Sequence, residues 1–254
     1  MPLSSIYKSK RRRYIYNDFR LIPIFIKKEE LEIMATIVIF GIQPGQAESG
    51  MGGTILKLTE SAHQVTIVDL SNGKLPNNQS EYLKKEAIKA SRILGIDERI
   101  TLDYHYIELE NNREIRTDLS EIYHNTSPDI VFIPYPAEGN IESKTLAEIC
   151  YASLTYLQQQ DPALLKSKVL YYFAAPANYF QKPTLIMDIS REIEMKVEAL
   201  KSYESQFGKN IQNSPSFENI LHLNRYYGIL IGKKFGEAFI STEPLEIKNM
   251  EFVF

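Results

Sequence analysis

The chain has 254 residues, 44% hydrophobic and 24% charged, with a formal net charge of -3 and one cysteine. One α/β domain fills that length with a sizeable core. The charge gives no electrostatic reason for a nucleic-acid partner, no apolar run approaches the roughly 20 residues of a bilayer span, and the lone Cys150 excludes an intramolecular disulfide or a cysteine-rich zinc knot.

Residues 1–33 stand apart by charge: Lys8, Lys10, Arg11, Arg12, Arg13, Arg20, Lys27 and Lys28 face only Asp18, Glu29, Glu30 and Glu32. The apolar run 21–26 is short and contains Pro23, so it does not read as a secretory signal. A flexible basic extension is expected over 1–33, either a stretch upstream of a true start at Met34 or an arm for an acidic partner. One domain is expected over 34–254, in a reducing, cytoplasmic setting.

From Met34 the pattern becomes regular. Residues 36–40 form a β-rich apolar run ending at Gly41, as a buried parallel strand should. A glycine-containing loop leads to a helix beginning at Gly53, and 64–70 is a second strand, completing a βαβ unit. Residues 81–94 have helical spacing through Ala87, Ala90, Ile93 and Leu94 and stop at Gly95. A strand at 99–102 and a helix around 118–124 follow. Then come a buried strand at 130–134 that closes in a proline-rich loop and a helix over 143–158, with Cys150 expected as a small core hydrophobe. Further strands are read at 169–173 and 185–189, and one long amphipathic helix over 191–207. This alternation predicts an α/β, Rossmann-like, doubly wound and mostly parallel sheet. Ligands of such sheets sit beyond the carboxyl ends of the strands, which singles out the loops after Phe40, Leu70, Leu102 and Pro134.

The first of those loops carries Pro44, Glu48, Gly50, Gly52, Gly53 and Thr54. With Ser71, Glu86-Ala87, 92–95, 128–135, the run 196–207 and 235–239, this frame resembles the LmbE-like (PIG-L) zinc N-deacetylases. The last two segments are closest to the bacillithiol-biosynthesis branch, of the N-acetylglucosaminyl-malate deacetylase type. The resemblance covers about Met34 to the C-terminus. It implies the LmbE-like fold, a homo-oligomer, and a zinc site built from a histidine and an aspartate of the first loop and a histidine after a later strand.

Those three places hold Gln43, Gln46 and Ser143. Imidazole nitrogen and carboxylate oxygen donate to zinc far better than neutral amides or hydroxyls, so no zinc or other cofactor is expected. The family's general base falls on Gly45, which has no side chain to take a proton, and an oxyanion-stabilising histidine falls on Gln181. Leu83 stands where the branch has arginine, and Tyr106 and Ile107 where it has an Asp-Arg pair. The resemblance with these departures implies a catalytically inactive homologue, serving as a binding, regulatory or assembly subunit. Its expected partners are a second copy, an active deacetylase relative, or a small anionic or sugar ligand in a remodelled pocket of Gln43, Gln46, Glu48, Ser71, Glu138, Glu142 and Ser143.

Two alternatives stay open at this level. Glu48, Glu138 and Glu142 are carboxylates on neighbouring loops that would suit a hard cation such as magnesium or calcium, giving a hydrolase with an unorthodox metal site; otherwise Glu48 hydrogen-bonds within its loop and the other two are exposed. The Gly50-to-Thr54 segment either presents helix-start N–H groups to an anion or merely permits a tight turn. His63, His105, His124 and His222 are too scattered for a metal motif. The segment lacks the Gly-Lys-Ser/Thr ending of a P-loop, no Ser/His/Asp or Cys/His nucleophilic motif is present, and Tyr171, Tyr172, Tyr226 and Tyr227 are read as core and interface residues.

Overall fold

The structure, a computed structural model, describes residues 34–73, 79–105, 109–137, 139–161, 164, 166–174 and 182–244. The basic segment 1–33 and the positions Tyr106, Ile107, Glu138 and Gln181 lie outside the described residues.

Seven strands form one sheet in the order β3-β2-β1-β4-β5-β7-β6. Five of them, β1 (Thr36–Gly41), β2 (Gln64–Asp69), β3 (Glu98–Thr101), β4 (Ile130–Pro134) and β5 (Lys168–Tyr172), are mutually parallel. The edge is antiparallel, with β7 (Gly236–Ser241) pairing both β5 and β6 (Leu185–Asp188). The alternation along β1 divides the core. Ile37 and Ile39 point to a cluster with Ile55, Leu94, Ala199 and Tyr203, on the side of α1 (Gln46–Glu60), α2 (Gln79–Leu94) and α5 (Ile193–Leu200). Val38 and Phe40 point to a second cluster with Leu119, Tyr123, Leu146 and Cys150, on the side of α3 (Arg113–Thr126) and α4 (Ile141–Gln158). Both faces of the central strands are thus covered, which is why they read as continuous apolar runs.

The expected doubly wound, mostly parallel sheet is the one observed. Several boundaries differ. The first helix starts at Gln46 rather than at Gly53, and it is interrupted at Met51, whose φ of -144° is not helical. Gly50 is required there, since a Cβ on it would lie 2.5 Å from the Tyr172 ring and 2.9 Å from the Phe173 carbonyl. The single helix expected over 191–207 is two helices, α5 and α6 (Glu204–Phe207), parted at residues 201–203. Ser202 and Tyr203 are buried at that break, so tertiary packing overrides the local period. A helix that the periodicity reading passed over, α7 (Pro215–Leu230), follows a 3-10 turn at Ile211–Asn213 and begins with proline in its first turn, a local start signal. Among the described residues no helix is long and apolar enough to cross a membrane.

Candidate functional site

From β1 the chain winds outward to β2 and β3, then returns to the other side of β1 as β4. The loops leaving β1 and β4 therefore diverge, and a crevice opens between them, the switch point of the sheet. The first loop brings Gln43, Gly45 and Gln46 to this crevice; the second brings Asn140 and Glu142. Gln206 and Phe207 of α6 with Asn219 of α7 close it, giving a cavity of about 380 Å³.

Two of the three positions implied as zinc ligands meet directly. The Gln46 side-chain amide donates to Ser143 Oγ at 3.2 Å, and its Oε1 accepts from the Ile42 N–H at 2.6 Å. Gln43 lines the same cavity. This donor set does not fit zinc: it brings no charge and no imidazole, and both ends of the Gln46 amide are already committed. Among the described residues, no group of three or more His, Cys, Asp or Glu could hold a metal ion.

Gly45 adopts a φ of +96°, and a Cβ there would lie 3.0 Å from Gln206 Oε1. The Gln206 amide occupies that space and donates to the Pro44 carbonyl at 2.7 Å. The position for which the resemblance implies a general base is therefore covered by a neutral amide from a distant part of the chain.

Glu48 and Ser71, expected to line the pocket, lie outside it. Glu48 is fully buried: it takes an Arg99 Nη1 bond at 2.6 Å, a Tyr203 hydroxyl bond at 2.6 Å and the Gly45 N–H at 3.2 Å. Burial works against its charge, but the Arg99 guanidinium and these donors hold its carboxyl below the usual value. Ser71 is also fully buried and accepts from the Gly73 N–H at 3.1 Å. Of the three carboxylates weighed for a hard cation, Glu142 lines the cavity and Glu48 is locked away by Arg99, while Glu138 is among the positions not described. Leu83, where the branch has arginine, is buried in the apolar core beside Gly73.

The anion expectation for the Gly50-to-Thr54 segment has an internal answer. Glu237 of β7 inserts its carboxylate there, accepting from Gly53 N at 3.0 Å, Thr54 N at 2.7 Å and Thr54 Oγ1 at 2.6 Å. Lys196 of α5 neutralises it at 2.7 Å, with both side chains fully buried. Sequence reasoning marked both residues as part of the resemblance and missed their pairing, because no local pattern joins them.

Asp69 is bonded to Arg99 Nε at 2.6 Å through one oxygen, while its Oδ1 is buried without a hydrogen-bond partner among the described residues. Burial raises its pKa from 3.8 to about 6, with Glu48 adding to the rise and Arg99 opposing it. In the unfolded chain this group ionises near its ordinary value, so its contribution to stability is fully present below about pH 4 and is lost as pH rises through about 6. Thermal unfolding followed from pH 4 to 7 should show Tm falling between about pH 4 and 6 from this group and levelling above that. Asp69→Asn, neutral throughout, should flatten that slope; an unchanged slope would assign the proton to another residue.

The remaining residues singled out are accounted for by packing. Cys150 is fully buried, its carbonyl accepting from the Tyr123 hydroxyl at 3.2 Å, and burial pushes its thiol well up. His63 Nδ1 accepts from the Ala35 N–H at 3.2 Å, and His124 sits at the end of α3, 4.0 Å from Asp161. The Tyr172 hydroxyl donates to the Phe40 carbonyl at 2.8 Å; Tyr227 is buried and Tyr226 exposed.

Comparison with known proteins agrees with this architecture. Residues 44–149 match the family described as PIG-L: GlcNAc-PI de-N-acetylase. The chain is 27% identical over 219 residues to the diacetylchitobiose deacetylase of Thermococcus kodakarensis, covering 77% of this chain and 78% of that protein. The conserved protein TT1542 from Thermus thermophilus superposes with a TM-score of 0.74 at 25% identity, covering 84% of this chain and 97% of that one. The N,N'-diacetylchitobiose deacetylase from Pyrococcus horikoshii has the same fold, with a TM-score of 0.73 at 24% identity over 86% of this chain and 87% of its own. With its sheet, its glycine-rich first loop and its switch-point crevice all in place, the chain carries a domain of the PIG-L/LmbE-like deacetylase family.

Proposed function

We propose that this protein is a catalytically inactive homologue of the zinc-dependent N-acetyl amino-sugar deacetylases, acting as a cytoplasmic binding or regulatory subunit that takes a small sugar in the switch-point cavity. The observation that carries this reading is the set Gln43, Gly45, Gln46 and Ser143. Where the family has metal ligands and a base, this chain has neutral groups, of which Gln46 and Ser143 bond to each other. An amide-rich lining suits hydroxyl-rich ligands, because the amides of Gln43 and Asn219, which also line the cavity, carry donors and an acceptor that match sugar hydroxyls. The relatives' diacetylchitobiose supports an N-acetyl amino sugar as the class. The resemblance of 196–207 to the bacillithiol branch supports a ligand related to that pathway. Association with a second copy or with an active relative is part of the same reading.

The test combines metal analysis with binding. Protein purified without chelator or metal-binding tag should contain far less than one zinc per chain. N-acetylglucosamine or diacetylchitobiose should bind by calorimetry, with the affinity falling about tenfold in Gln206→Leu, as expected when a hydrogen-bonding side chain that lines the cavity is removed. Near one tightly held metal per chain, together with acetate release, would replace this reading with that of an active hydrolase.

A further inference from the structure

A second cavity, of about 470 Å³, lies between α3 and α4, lined by Asn111, Arg113, Arg116, Ser153 and Tyr156 among others. The side chains that line it are cationic, although the first turn of α3 also carries the exposed Glu114, which does not line the cavity. The first turn of a helix carries partial positive charge and normally attracts acidic side chains. Here Arg113 opens α3 and Arg116 follows one turn later, both exposed. No carboxylate among the described residues lines the cavity. Arg116 Nε is held by Asn111 Oδ1, while the Arg113 guanidinium has no hydrogen bond or ion pair among the described residues. The Asn112 side chain caps the Ile115 N–H, which leaves the N–H groups of Arg113 and Glu114 without an intrahelical acceptor.

A separate observation comes from the opposite wall. Ser153 of α4 is 1% exposed, lines this cavity, and its Oγ has no hydrogen-bond partner among the described residues. A buried hydroxyl left unpaired costs stability, so an orphan at the wall of a cationic cavity marks a place where an acceptor is missing. We propose that this groove is a second ligand site, which takes the phosphate group of a small organic phosphate on Arg113, Arg116, the first turn of α3 and the Ser153 hydroxyl. The geometry matches the anion: two guanidinium groups supply forked donors, the helix start supplies backbone N–H groups, and the hydroxyl supplies one more. The volume exceeds that of a free phosphate, and the Tyr156 ring offers a flat apolar face to the remainder of the ligand.

The site is independent of the switch-point cavity, and the experiment keeps the two apart. Inorganic phosphate and glucose 6-phosphate are titrated into the full chain at constant ionic strength, read by calorimetry and by the shift in Tm. Wild type should bind both saturably, the sugar phosphate more tightly. Arg113→Ser/Arg116→Ser, at exposed positions, should fold normally and lose saturable binding. Ser153→Ala should unfold at or above the wild-type temperature, because its orphan hydroxyl is gone, yet bind phosphate about tenfold more weakly. Gln206→Leu should bind phosphate as wild type does. Absence of saturable binding in wild type, wild-type affinity in either cavity variant, or loss of phosphate binding in Gln206→Leu would each overturn the proposal.

Discussion

Replacing Gln43 and Ser143 by histidine and Gln46 by aspartate should convert a chain expected to hold little zinc into one that holds one zinc per molecule by elemental analysis. The side chains at 46 and 143 already meet at 3.2 Å, and residue 43 lines the same cavity. Two of the three positions that the resemblance implies as ligands are thus within reach of each other, and what they lack is donor chemistry suited to zinc. The triple variant should still release no acetate from N-acetylglucosamine conjugates, because position 45 offers no base. Adding Gly45→Asp should be needed for any hydrolysis, at a cost. With φ at +96° and Gln206 Oε1 3.0 Å from the new Cβ, the aspartate strains the backbone and must push the Gln206 side chain aside. A penalty of about 1–3 kcal/mol relative to the triple variant is expected in denaturant unfolding. If the triple variant took up no zinc, the loops would have lost the ligand geometry as well as the ligands.

The largest stability effect should come from the buried staple between α1, α5 and β7. Glu237→Gln strips Lys196 of its counter-charge in a fully buried site, and removing one partner of such a pair costs about 3–5 kcal/mol. For a domain of this size that corresponds to a fall in Tm of about 10 °C. Burial already pulls the Lys196 pKa down, with Glu237 opposing that pull, so losing the carboxylate should make the lysine give up its proton. Lys196→Met alone leaves a carboxylate with three remaining donors from Gly53 and Thr54, and should cost less than Glu237→Gln. The double variant Lys196→Met/Glu237→Gln should be more stable than the sum of the singles predicts, since no unpaired charge remains. Urea unfolding of the four proteins measures this directly. Strict additivity would mean that the two side chains act independently despite their 2.7 Å contact.

Much of the architecture is legible because it is written in local periods. The runs 36–40 and 130–134 are apolar on both faces and bounded by Gly41 and Pro134, and they form the strands that flank the crevice. Gly95 ends a helix as expected, with a φ of +67°. The antiparallel edge is less legible. Residues 235–239 enter the sequence reading only as part of the resemblance, and they become β7, whose place beside β5 depends on the chain returning across the sheet. The single helix expected over 191–207 fails for a similar reason. Its apolar spacing is helical, but packing of Tyr203 against Glu48 breaks it.

Local pattern suffices for the sheet, the loops at its carboxyl ends and the identities that stand in the site, because strand alternation, glycine punctuation and the absence of a side chain at Gly45 are properties of short segments. What those residues do is settled by long-range packing. Glu48 is withdrawn from the cavity by Tyr203, 155 residues away. Gln206 covers Gly45 through a bond to Pro44 from 162 residues away, and Glu237 fills the helix-start cradle from 183–184 residues away. Contacts across such separations leave no period in the sequence. They form only when packing of the whole sheet has already offset the entropy of bringing those segments together.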